Sequence, residues 1–564
     1  MKFSDFHYVR PNMEQLTIDW EALIRQFNEA PDADEQIEIM RKINQLRLDF
    51  DSMLNIVYVR YSGNTTNKEY EAEQEFFDQN SPLFQELVNH FYKAMLSSKY
   101  RQDLEDHFGK HLFNIVEVSL RTFHHDIIED LQRENHLVSE YTKLVSSAKI
   151  MFEGEERNLA GLTPFEMSID RDMRHRASDA KWQFMASCTE KIDAIYDEQV
   201  KLRHKMAKKL GFNNYVELGY LRMLRTDYDS KMVADYRQQV LENVVPLANE
   251  LRQRQARRIG LDDLKYYDLP MHFHSGNPTP KGSPEWIVQH GKDMYEELSD
   301  ETGEFFNFMI DNELLDLVTR QGKAGGGYCT YIPNYKAPFI FSNFNGTAHD
   351  INVLTHEAGH AFQVYMSRNW SIPEYQWPTY EACEIHSMSM EFFAWPWMER
   401  FFERDTPKFK FEHLSDGILF LPYGVSVDEF QHFVYENPDA TPQERKQAWR
   451  EIEKKYLPWV AYEGNVFLET GGFWQKQAHI FANPFYYIDY TLAQICAFQF
   501  WQKANENRED ALNDYIRLCE AGGSKPFLSL VEYANLKSPF QHGCIAETLV
   551  PIKNFLSTID DMAL

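Results

Sequence analysis

The chain has 564 residues, and its 58 lysines and arginines against 86 aspartates and glutamates give a formal charge of -28 that repels phosphate-rich partners such as nucleic acids. With 43% apolar and 15% aromatic residues and a mean hydropathy of -0.53, the composition is that of a packed globular protein and excludes a disordered one. No apolar run is long enough to span a bilayer and the N-terminus has no apolar signal core, so a cytoplasmic protein without membrane contact is expected.

Most of the chain has helical periodicity. Ile39, Ile43, Leu46, Phe50, Met53 and Val57 alternate spacings of four and three, which lines one face of a long helix ending near Gly63. Further helical patterns cover 70–98, 134–152, 166–210 and 229–259. The arginine-rich run at 251–258 is read as a solvated helix face. Prolines and glycines make 268–284 a loop, in which the His272-x-His274 pair has no carboxylate or cysteine nearby in sequence to complete a metal site. Cys188, Cys329, Cys383, Cys496, Cys519 and Cys544 are scattered, form no Cys-x-x-Cys pair and suit a reducing compartment.

The texture changes after Gly322. Tyr328–Ile332 and Pro338–Phe344 are rich in aromatic and branched residues and predict two short strands, either a structural hairpin or an edge able to pair with an extended peptide. Gly325-Gly326-Gly327 lacks the residues of a phosphate-binding loop and predicts a flexible turn or a flap over a cleft.

The next helix is expected to start near Asp350, whose side chain can cap free amides, and it carries His356-Glu357-Ala358-Gly359-His360. Positions i and i+4 share a helical face, so His356 and His360 can grip one metal ion while Glu357 takes a proton from a metal-activated water. Gly359 weakens the helix, which predicts close approach of another segment beside His360. A catalytic zinc needs a third protein ligand. A second glycine and a third histidine would stand where the chain has Gln363 and Met366, and families with a glutamate about 20 residues further on would need it at Thr379 or Tyr380. Both spacings fail. Glu384, in the helical pattern that starts at Tyr380, is the expected third ligand; Glu391, two turns along, is suited to orient a ligating imidazole, and Glu381 on the same face is the rival ligand. His386 points elsewhere.

Further on, His479-Ile-Phe-Ala-Asn-Pro-Phe-Tyr-Tyr-Ile-Asp-Tyr490 places Tyr486 and Tyr490 one helical turn apart. A phenol beside the metal can donate to the oxyanion formed when water attacks a peptide carbonyl, and His479 can serve the same intermediate. A core aromatic stripe is the alternative reading, above all for Tyr487. The pentad, the Glu384/Glu391 pair and this tyrosine-rich segment together resemble the zinc oligopeptidases of the thimet oligopeptidase and oligoendopeptidase F group. Within that group the chain is most similar to the oligoendopeptidase F branch and its bacillar Pz-peptidases, which trim collagen-derived peptides. The resemblance implies a mainly α fold: a large helical body with a deep central channel and a small β-sheet beside the metal-binding helix, with one Zn2+ per chain near the channel's middle. The tyrosine segment is out of register with mammalian members, so whether Tyr486 or Tyr487 faces the metal stays open.

The expectation is therefore a cytoplasmic zinc endopeptidase for short unfolded oligopeptides. His356, His360 and Glu384 hold the metal, Glu357 is base and then acid, and Tyr490, His479 and Tyr486 or Tyr487 stabilise the oxyanion. Residues 1–165 form an N-terminal helical region and 166–564 the catalytic region, the two enclosing one channel. A metallocarboxypeptidase with the same motif and a non-catalytic peptide-binding protein with structural zinc are the alternatives; the first would need a cation for the free carboxylate, and the second has no use for Glu357.

Overall fold

The computed structural model describes residues 1–320 and 322–564. Helix accounts for 71% of the chain, against one sheet of two strands and one of three, so the mainly α expectation holds. The first long helix, Ala33–Gly63, is capped by Asp32, whose side chain accepts from the Glu35 amide. Its apolar stripe faces inward as expected, with Ile39, Ile43, Phe50 and Val57 buried. These join Trp20, Phe77, Phe84 and Phe91 in an N-terminal core that also takes in Ile372 and Tyr375 from much later in the chain. A second, larger core runs from Phe6 to Leu556 and holds the elements that carry the pentad.

Several expected helices end differently, each for a local reason. The 134–152 pattern stops at Ser146, because Ile150–Phe152 leaves it to pair with Glu155–Arg157 in a hairpin turned by Glu153 and Gly154, both at positive φ. The 229–259 pattern splits into Ser230–Asn243 and Val245–Arg258. Pro246 lacks an amide proton and so starts a helix more readily than it continues one. The arginines of 251–258 are not a solvated face: Arg254 and Arg258 pair with Asp561, and Arg252 bonds the Leu269 carbonyl, leaving Arg257 exposed.

In the three-stranded sheet, Leu315–Val318 runs parallel to Ala337–Phe344, which pairs antiparallel with Tyr328–Ile332. The first of these strands was not expected from the sequence. Tyr328–Ile332 is an edge of the sheet, and among the described residues its backbone makes no bond to main chain outside the sheet. The glycine stretch before it is tied down, since Ala324 N–H bonds Ser62 O and Asn343 donates to the carbonyls of Ala324 and Gly326. All six cysteines are unpaired, and no helix among the described residues is long and apolar enough to cross a membrane.

A buried ion pair ties the N-terminal helices to the rest. Glu134 accepts from Arg203 and Arg222, with the Glu134 and Arg203 side chains 5% and 0% exposed. Burial pushes the Glu134 carboxyl up, but the two guanidiniums outweigh it and hold it at about 2. Glu134→Gln leaves Arg203 buried without its countercharge and is expected to cost about 3–5 kcal/mol, read as a lower denaturant midpoint. Because the folded value is depressed, the pair's contribution is complete above the ordinary carboxyl range and is lost as pH falls towards 2.

Candidate active site

The pentad lies on the helix His349–Ser367, one residue earlier than expected. Asp350 does not cap that helix. It reaches back to accept the amides of Asn345 and Gly346, closing the turn between the sheet and the helix. The helix packs across Tyr380–Phe393 at Gly359, where a Cβ would stand 2.6 Å from both the His386 carbonyl oxygen and Ser387 Cα. Here the glycine is what lets two backbones touch, and the contact aligns His360 with Glu384. Gly359→Ala is expected to cost about 1–3 kcal/mol by overpacking. It should also loosen metal binding, measured by chelator competition, because the second helix must move away.

Three donors converge at this crossing. His356 Nε2 lies 3.2 Å and His360 Nε2 3.4 Å from Glu384 Oε2, and this trio forms a potential metal-binding group. For bonds of about 2.0–2.1 Å and a tetrahedral angle, two ligand atoms on zinc stand about 3.3 Å apart. The donor set therefore has the spacing and the chemistry of a divalent metal centre. The site is neither sealed nor on the open surface, with His356 and His360 side chains 20% and 12% exposed. Glu391 Oε1 accepts from His356 Nδ1 at 2.8 Å, and its other oxygen bonds His413 Nε2 at 2.6 Å. Burial pushes the Glu391 carboxyl up, yet these two hydrogen bonds prevail and hold it at about 2.

Glu357 sits beside the donors with Oε2 buried and unpartnered, and burial raises its carboxyl above the ordinary range. Glu381 lies elsewhere. It faces the Arg225/Asp489 pair rather than the histidines, and burial together with the Asp489 charge pushes its carboxyl up. His386 is fully buried, and neither ring nitrogen has a partner.

The tyrosine segment forms a second wall. Tyr486 donates to Glu384 Oε1, so it is Tyr486 that reaches the donor set. Tyr487 turns to Phe420 and Tyr423. His479 Nε2 lies 3.2 Å from the Tyr490 hydroxyl, and burial lowers its imidazole to about 4, so it is neutral near pH 7. Tyr423 donates to Gln477 Oε1 and Gln477 Nε2 donates to His479 Nδ1, leaving the proton on Nε2. Phe485, at a φ of 67°, turns the chain into this wall, its amide bonded to Gln431 and its carbonyl to Arg225. Sequence reasoning missed His413, Gln431 and Arg225, since each is distant in sequence from the group it holds and belongs to no motif, and it missed Gln477, two residues before His479, because no motif marks it.

At the second histidine pair, folding supplies what the sequence lacked. Glu412 and Asp416 come within reach of His272, while His274 is exposed. Arg252 stands near Asp416 and Arg258 near Glu412, yet burial and the Asp416 charge outweigh Arg258 and push the Glu412 carboxyl well up.

Comparison with known proteins agrees with the geometry. The family model described as Peptidase family M3 matches residues 165–548, and the Peptidase M3 N-terminal domain matches 3–123. The chain belongs to peptidase family M3. The solved structure of PZ peptidase A with inhibitor 2 covers 100% of both chains at 60% identity and a TM-score of 0.98. An oligoendopeptidase F homolog of Borreliella burgdorferi is 24% identical over 434 residues, 73% of this chain and 71% of the relative. Group B oligopeptidase PepB of Streptococcus agalactiae is 21% identical over 531 residues, 88% of this chain and 85% of the relative. As an M3 family member the protein is a metallopeptidase that hydrolyses peptide bonds.

Proposed function

We propose that this M3 peptidase is a zinc-dependent endopeptidase of short unfolded oligopeptides, collagen-derived peptides among them. The observation that carries the reading is the tetrahedral-edge spacing of His356, His360 and Glu384 with a buried, unpartnered carboxylate oxygen of Glu357 beside them. Zinc on these three donors supplies a Lewis acid for the scissile carbonyl and the attacking water. Glu357 takes the water's proton and returns it to the leaving amine nitrogen. Tyr490 Oη and the neutral His479 Nε2–H donate to the oxyanion, while Tyr486 holds Glu384 and Glu391 holds His356. Tyr490→Phe is expected to lower kcat about 10²-fold with little change in KM, measured on a quenched-fluorescence peptide.

The free edge of Tyr328–Ile332 gives the substrate main chain a partner, since a Cβ on Gly327 at its start would lie 3.5 Å from Glu357 Oε1. Main-chain pairing reads no side chains, so the enzyme accepts many sequences and selects by length and lack of fold. Residues 1–165 wall the channel opposite the catalytic region 166–564, and unpaired cysteines fit a cytoplasmic setting. The test is mass spectrometry of products from a peptide blocked at both ends. Internal cuts are expected; resistance of the blocked peptide while its free form is trimmed would make the enzyme a carboxypeptidase.

A further inference from the structure

We propose that His413 and Trp395 are a positioning pair that fixes the tautomer of His356 through Glu391. This rests on the metal site proposed above. Trp395 Nε1 lies 3.1 Å from His413 Nδ1. An indole N–H can only donate, so His413 Nδ1 accepts and carries no proton. With Nδ1 accepting there, the proton this ring donates sits on Nε2. There it meets Glu391 Oε2 at 2.6 Å. Glu391 stays an acceptor on both oxygens and takes the His356 Nδ1–H at 2.8 Å on the other. His356 Nε2, which faces Glu384 and His360, is then the ring nitrogen left to bind the metal.

The relay is built to hold one orientation. His413 and Trp395 are 9% and 7% exposed, so water does not readily replace either contact. The His413 ring lies stacked on Phe409, centroids 5.5 Å apart, and edge-on to Phe392 at 4.9 Å, which opposes the half-turn that would exchange its nitrogens. Three elements contribute: Glu391 from Tyr380–Phe393, Trp395 from the turn that follows, and His413 from Thr406–Glu436. Without His413, Glu391 loses the anchor on Oε2 and can rotate away from His356. The consequence is weaker metal binding, because more of the His356 population presents the wrong nitrogen or the wrong ring plane.

The experiment measures zinc affinity of the full-length enzyme by competition with a fluorescent chelator at fixed pH, together with melting temperature. His413→Leu is expected to bind zinc about tenfold more weakly. His413→Gln, whose amide N–H can replace Nε2–H, should stay within about threefold of the parent, and Trp395→Phe, which keeps the packing but loses the donor, should fall between them. A merely structural role predicts instead that Gln and Leu weaken binding alike, in step with their melting temperatures. Parent-like affinity in both His413→Leu and Trp395→Phe overturns the proposal. If His413→Leu does not fold, Trp395→Phe decides alone, weaker binding supporting the relay and unchanged binding overturning it. His356→Ala separates the two levels: unchanged zinc affinity there would overturn the metal site itself, whereas its loss alongside unaffected His413 and Trp395 variants overturns only the relay.

Discussion

Glu357→Gln is expected to retain the metal and lose about 10³-fold in turnover, within the span general acid–base catalysis contributes. The exchange is nearly isosteric and leaves His356, His360 and Glu384 untouched, so metal content measured on the purified protein should match the parent. What disappears is the ability to accept a proton. No other carboxylate stands in for it: Glu384 is engaged by Ser387 and Tyr486, Glu391 by two histidines, and Glu381 faces Arg225 and Asp489. Full metal with undiminished cleavage would remove Glu357 from the chemistry and leave the proposed mechanism without a base.

Glu384→Ala should bind metal far more weakly, by more than the 10- to 100-fold that follows loss of an outer partner, and lose activity with it. Glu381→Ala should keep the metal within a factor of about three. The contrast is informative because the sequence alone left both carboxylates eligible on one helix face. Their surroundings differ. Glu384 Oε2 lies 3.2 Å and 3.4 Å from two imidazole nitrogens, while both Glu381 oxygens are buried without a hydrogen-bond partner. Equal metal loss in the two variants would mean that the helix, rather than the Glu384 carboxylate, is what the site depends on.

Much of this protein was legible as a sequence, and the reason is periodicity. Two histidines at i and i+4, and Glu384 with Glu391 two turns apart, share a helical face wherever the helix is placed. Gly359 could be read as a close approach because a glycine within a helix is costly. The 3.6-residue period likewise marked most of the chain as helical, and the branched runs after Gly322 marked Tyr328–Ile332 and Ala337–Phe344, though not the other strands. Helix ends were less legible: the split at Pro246 and the early stop at Ser146 depended on local turns that competed with an otherwise continuous pattern.

Tertiary structure decided which side chains meet across the helix crossing. It directed Glu384 to the histidines and Glu381 to Arg225, and it chose Tyr486 over Tyr487 as the residue that touches the donor set. It also drew Arg254 and Arg258, from a run that looked solvated, into ion pairs with Asp561. His413 shows the limit most clearly, since it reaches Glu391 from a separate helix and no spacing in the chain relates the two. A sequence determines which residues share one face of one helix. Which face meets which other is set by packing of the whole core, where shape and the need to pair every buried polar group select a single arrangement.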